Sequence, residues 1–180
     1  MTNPSFTMIR LFLAPALIGA ALTSQAMAQS TPATGPYVEG GIGQVQAKKA
    51  DANIDTLNAR AGYQINPFFA VEGDASIGTG KGKGVGGDYK LTNKVGAFAV
   101  GTLPVSERIS LIGRVGVSDT QLKRPAGVTG VENGTSKDMG VGAKVKITEG
   151  LSVRGDYTHS EFNGSHGRSD QLGLNLVKSF

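Results

Sequence analysis

His159, Ser160 and Glu161 follow one another directly, and together they are the parts of a hydrolase: a base, a nucleophile and an orienting carboxylate. The residues around them alternate apolar and polar, which reads as a strand, and neighbours on a strand point to opposite faces. His159 and Ser160 are therefore not expected to meet, and no catalytic site is expected. Gly78 to Gly87, with Lys81 and Lys83 inside it, has the composition of a phosphate-cradling loop. Such a loop needs a helix behind it with its N-terminus aimed at the phosphate. Strand-like residues follow here, so an external loop is the expectation. No metal-ligand spacing is present and no cofactor is expected. A net charge of +4 over 180 residues makes no case for nucleic acid.

Two charged sets remain. Glu39, Arg60, Glu72, Asp74, Lys94, Arg114, Lys144, Arg154 and Asp156 all fall on the polar faces of alternating segments. If those faces turn inward, both signs meet in a narrow space as an ion-pair network, because buried charges persist only when paired. Arg60 and Arg154 are the expected counter-ions of Glu72, Asp74 and Asp156. A narrow ion path through the same residues is the alternative use. Lys48, Lys49, Lys81, Lys83, Lys90, Lys123, Arg124, Lys137 and Arg168 fall in or beside the longer connections, where they form a cationic surface attractive to phosphate-rich lipid or another surface partner.

The elements that must position these residues are strands. Period-two alternation runs through eight segments. Leu57, Ala59, Ala61, Tyr63 and Ile65 oppose Asn58, Arg60, Gly62 and Gln64. Phe69, Val71, Gly73, Ala75 and Ile77 oppose Ala70, Glu72, Asp74 and Ser76. The same pattern recurs over Ile109 to Ser118, Met139 to Thr148, Leu151 to Thr158 and Gln171 to Phe180. Two segments are less regular: Val95 to Leu103 leaves Phe98 and Val100 on the face of Lys94, and placing Glu39 inward places Tyr37 inward with it.

The connections alternate in length. Asn66-Pro67, Pro104 to Arg108 and Glu149-Gly150 are tight, whereas Ala47 to Asn53, Gly78 to Lys90, Asp119 to Lys137 and Glu161 to Asp170 are longer. Three tight turns on one side and four longer loops on the other is the count required of an even-stranded barrel with both termini on the turn side. Most of the 27 glycines lie inside the alternating segments, as suits strands that bend and pack closely.

Met1 to Ala28 reads as an export leader. Arg10 supplies the charge, Leu11 to Leu22 the apolar stretch and Ala26-Met27-Ala28 the small-x-small site, which predicts a mature chain from Gln29. The apolar stretch is too short for a membrane helix. Loss of Arg10 lowers the net charge from +4 to +3. The remainder suits one domain, and without cysteine its stability must come from a core or a closed sheet. A mean hydropathy of -0.10 resembles that of a soluble protein, but a membrane barrel has such an average when only alternate residues face lipid. A soluble barrel turns its apolar face inward instead; segments of near ten residues and a terminal Phe180 closing the last of them favour the membrane form.

Pro36-Tyr37-Val38-Glu39-Gly40-Gly41-Ile42-Gly43, the hairpin from Arg60 to Gly73, Leu151 to Tyr157 and the terminal Phe180 together resemble the outer-membrane β-barrel proteins, the group that includes the OmpA membrane domain, OmpX and the Opa-type surface antigens. The resemblance covers essentially the whole mature chain. Lys178 departs from it, standing where an outward apolar residue is usual, although a lysine near the interface snorkels to headgroups. Lipid A deacylases are similar barrels whose catalytic pair resembles His-x-Ser on one face, a spacing this chain lacks. The resemblance implies an all-β, eight-stranded antiparallel up-and-down transmembrane β-barrel, with short periplasmic turns and four longer extracellular loops, spanning residues 36–180 after the leader 1–28 and a short segment 29–35. It implies an outer-membrane location in a Gram-negative bacterium, with membrane lipid and lipopolysaccharide as neighbours, a monomeric state and a structural or surface-interaction role. A small porin-like channel is the alternative.

Overall fold

A computed structural model describes residues 34–128, 132–164 and 167–180. The expected leader, 1–28, and residues 29–33 lie outside the described residues. Nine strands follow in order: β1 Gly35–Ala47, β2 Ala52–Asn66, β3 Phe69–Gly78, β4 Gly82–Gly84, β5 Gly87–Pro104, β6 Ile109–Lys123, β7 Gly134–Thr148, β8 Leu151–Phe162 and β9 Arg168–Ser179. All pairings are antiparallel: sequence neighbours pair except β3 with β4, β1 pairs β9, and β3 pairs β5. Those last two ladders close the wall into an eight-stranded barrel. The three-residue β4 stands above the wall, paired only with the start of β5.

Closure satisfies the backbone of every wall strand, which is the condition for crossing lipid with strands. The facing follows the alternation. Val38, Leu57, Val71, Val115, Val141 and Leu174 are exposed on the outside, while Glu39, Arg60, Glu72, Arg114, Arg154 and Asn175 are buried within. The two irregular segments keep the same facing: Tyr37, Phe98 and Val100 are buried inside. Glycine makes room for the rings. A Cβ on Gly62 would lie 2.3 Å from Tyr37 Cζ, and one on Gly116 would lie 2.6 Å from Phe98 Cδ1.

Apart from β3, the wall strands are longer than the ten residues the alternation delimits. The wall strands run from 10 residues in β3 to 18 in β5, and five of the cations assigned to loops stand on strands: Lys83 on the short β4, Lys90 on β5, Lys123 at the end of β6, Lys137 on β7 and Arg168 at the start of β9. The reason is an inversion of polarity. Val45, Ala47, Ile54, Leu91 and Leu122 are buried inside the barrel's extracellular end, whereas the outward positions there are polar. A pattern of apolar residues facing out therefore ends at the lipid boundary, although the ladder continues. A bulge between Leu91 and Asn93 also breaks the alternation in β5, since an extra residue reverses the facing.

Candidate functional site

The interior is stacked in layers. At the periplasmic end Tyr37, Ala70, Phe98, Val100, Ile112 and Val177 form an apolar cluster. Above it three arginines and four carboxylates interlock. Arg60 meets Asp156 with two hydrogen bonds, 3.0 and 2.8 Å, and donates to Glu39 at 3.1 Å. Arg154 donates to Glu39 at 2.8 Å and to Glu72. Arg114 donates to Asp74 at 2.6 Å and lies 3.6 Å from Asp156. The Tyr37 hydroxyl donates to Glu72 at 2.7 Å, and the Arg114 guanidinium sits 3.5 Å above the Phe98 ring centroid, a cation–π contact that joins the ionic layer to the apolar one. Paired forks of this kind are the geometry in which guanidinium and carboxylate offset each other's desolvation.

One layer higher, Lys94 meets Asp138 at 3.1 Å and donates to the Ser160 hydroxyl at 2.9 Å. Ser118 and Ser136 each donate to Asp138 at 2.7 Å. At the extracellular end Val45, Ala47, Ala50, Ala52, Ile54, Tyr89, Leu91 and Leu122 make a second apolar cluster, with Val128 packed against it.

Of the nine inward charges expected from sequence, Glu39, Arg60, Glu72, Asp74, Arg114, Arg154 and Asp156 are brought together. Lys94 belongs to the separate layer with Asp138. Lys144 faces inward with no carboxylate within ion-pair distance among the described residues. Both expected arginines lie against these acids: Arg60 is paired with Glu39, Asp74 and Asp156, and Arg154 with Glu39, Glu72 and Asp156, while Glu72 also stands 3.9 Å from Arg114. Glu39 and Asp74 face Arg60 in register on the two adjacent strands, whereas Asp156 reaches it across the lumen. Asp138 stands one residue before the alternating stretch that opens at Met139. Extending the same alternation by one residue places it inward.

His159 and Ser160 stand on opposite faces. Ser160 is fully buried beside Lys94, while His159 Nδ1 lies 2.7 Å from Asp170 on the outside, a carboxylate that also accepts from Tyr157 at 2.7 Å and meets Lys48 at 2.9 Å.

The four loops form a tied crown. Glu132, 2% exposed, accepts from the backbone N–H of Lys49 and of Ala50. Val85 N–H donates to Ala50 at 2.8 Å, Lys48 N–H to Arg168 at 3.1 Å and Asn163 N–H to Thr135 at 3.0 Å. Lys81 pairs with Asp88 at 3.5 Å. Within the crown Glu132 has no alternation to mark it, and only its burial identifies it.

A sequence-family model described as the outer membrane protein beta-barrel domain matches residues 13–180. A search of curated proteins finds no match. Among solved structures the chain is similar to the Neisserial surface protein A, with 17% identity, a TM-score of 0.58 and coverage of 84% of this chain and 100% of that one. It is similar to Ail of Yersinia pestis in complex with the heparin analogue sucrose octasulfate, with 17% identity, a TM-score of 0.56 and coverage of 82% and 100%. The outer membrane enzyme PagL matches with 11% identity, a TM-score of 0.50 and coverage of 80% and 99%. Likeness at these identities shows the shared barrel and nothing of its use. With the family match running through every strand of a closed eight-stranded wall, the chain belongs to the outer membrane protein beta-barrel domain family.

Proposed function

We propose that the protein is a closed outer-membrane anchor, exported behind residues 1–28, that holds a rigid cationic crown at the cell surface. One observation carries this reading: the lumen has an apolar cluster at each end with a paired ionic layer between them. A hydrated ion entering either end would shed its water against apolar side chains, at a cost of several kcal/mol per ion. This opposes the porin-like alternative. The ties between loops support a fixed display surface, because each added hydrogen bond limits the crown's independent motion.

The separation of His159 from Ser160 supports a non-enzymatic role. The partners this reading implies are membrane lipid and lipopolysaccharide at the crown, with Lys48, Lys49, Lys81, Lys83, Lys90, Lys123, Arg124, Lys137 and Arg168 as the candidate contacts, and a monomeric barrel. Planar-bilayer recording of the purified protein tests the anchor. No steady conductance is expected, and a large steady conductance would replace the anchor with a channel.

A further inference from the structure

Ser160 turns into the lumen, so its two neighbours on β8, His159 and Glu161, share the outer face of the strand. His159 Nε2 lies 3.8 Å from Glu161 Oε1. Across the β8–β9 ladder His159 is the register partner of Asp170, and its Nδ1 lies 2.7 Å from Asp170 Oδ1. Asp170 is fixed from two further directions, accepting from the Tyr157 hydroxyl at 2.7 Å and meeting Lys48 at 2.9 Å. The apolar outward run ends at Tyr157 on β8 and at Leu172 on β9, which leaves the pair just above the lipid-facing belt and open to dissolved ions.

A carboxylate that gathers three donors accepts from the ring, which places the imidazole proton on Nδ1 and the lone pair on Nε2. Nε2 and the Glu161 carboxylate are then two acceptors facing each other across a gap too long for a hydrogen bond. A cation joins them. We propose that His159 and Glu161 bind a divalent ion of the zinc class, with Asp170 as the positioning residue. Such a site is independent of whether the lumen conducts.

An ion about 2.0 Å from an imidazole nitrogen and about 2.1 Å from a carboxylate oxygen spans a 3.8 Å separation at roughly 135°, and an inward swing of about 0.5 Å by Glu161 reaches the tetrahedral angle. The Glu161 side chain is 61% exposed and has room for that swing. Asp170 supplies the other half of the site: a ligating imidazole characteristically donates its second N–H to a carboxylate, which fixes both tautomer and ring orientation. Spacing along the chain offers only His159 and Glu161; the ladder adds Asp170. One imidazole nitrogen beside one carboxylate suits zinc over magnesium or calcium, which take oxygen ligands. Two tetrahedral positions remain for water, as in an exchangeable site and unlike a structural one. Lys137 and Arg168 stand opposite Glu161 in its two ladders. Their charge opposes a further cation, so the expected Kd is on the order of tens of micromolar, weaker than that of a four-ligand site.

The chain has two histidines, His159 and His166, and no cysteine, so the untagged mature barrel in micelles gives a clean titration. Zinc chloride is titrated calorimetrically into wild type and into variants first shown closed by heat-modifiable migration, and the imidazole nitrogens are followed by NMR. Wild type is expected to bind one equivalent, with the His159 Nε2 resonance shifting and excess magnesium failing to compete. His159→Ala and Glu161→Gln are expected to lose at least about ten-fold, and His166→Ala to bind as wild type does. Asp170→Asn is expected to lose about ten-fold and to move the neutral ring's proton from Nδ1 to Nε2, a tautomer change that loss of structural support alone would not produce. Lys137→Gln is expected to tighten binding by about three-fold, because it removes a like charge. No binding at millimolar zinc, loss of binding in His166→Ala, or indifference to Glu161→Gln overturns the site. Unchanged affinity and tautomer in Asp170→Asn would do so too, as would competition by magnesium, which marks a general divalent-cation surface.

Discussion

Arg60 and Asp156, 96 residues apart in sequence, meet side by side through two hydrogen bonds of 3.0 and 2.8 Å in the middle of the barrel. They lie on β2 and β8 with β1 and β9 between them along the wall, so the contact crosses the lumen and holds its opposing sides together. Arg60→Ala or Asp156→Ala leaves a buried charge with fewer partners, at a cost of about 3–5 kcal/mol, and the double variant should cost less than the sum. Urea unfolding followed by far-ultraviolet circular dichroism checks this. Strict additivity would show that the pair does not couple, and a cycle between Arg60 and Glu72 should show the weaker coupling.

The outer wall makes a second prediction. Val115 is 61% exposed and faces lipid near the middle of the belt, so Val115→Arg should weaken folding into lipid vesicles by about 2–4 kcal/mol. Gln121→Arg, on the same strand and face but above the belt, should fold as wild type does. Equal folding of the two would reverse the facing assignment and favour a soluble barrel.

The extracellular cluster predicts local loosening of the crown. Leu91 is 1% exposed and packs among Ile54, Tyr89 and Leu122, so Leu91→Ala should cost about 2–5 kcal/mol. The loss should appear as faster hydrogen exchange at amides of residues 52–54 and 87–91, with those of 109–117 unchanged. Uniform acceleration along the whole chain would mean that the crown does not open as a unit.

Glu132 predicts a proteolytic phenotype. Its carboxylate accepts two backbone donors of the first loop, and Glu132→Ala frees them. Tryptic cleavage after Lys49 should accelerate several-fold while heat-modifiable migration persists. An unchanged cleavage rate would show that the first loop is held by its other ties alone.

Much of the belt was legible from alternation alone. Val71 outward and Glu72 inward follow from adjacent positions on one strand, because the pleat has period two and lipid accepts only one of the faces. The tight turns at Asn66-Pro67 and Glu149-Gly150 and the longer connections between them determined an even, up-and-down order for the same local reason. Even Tyr37 and Phe98, apolar residues on the charged face, were placed inward by the parity of Glu39 and Lys94.

Tertiary structure decided which side chains meet across the lumen. Strand register sets Arg60 beside Glu39 and Asp74, yet only the closed wall brings Arg60 to Asp156 and gives Glu72 to Arg154, because lumen partners depend on the stagger and tilt of the closed wall, which no single segment encodes. The crown escaped the alternation for a different reason. Above the lipid the solvent preference of the two faces inverts, so Ile54 and Leu91 turn inward and Lys90 and Lys123 outward, and only the position of the lipid boundary along the folded wall says where that inversion begins.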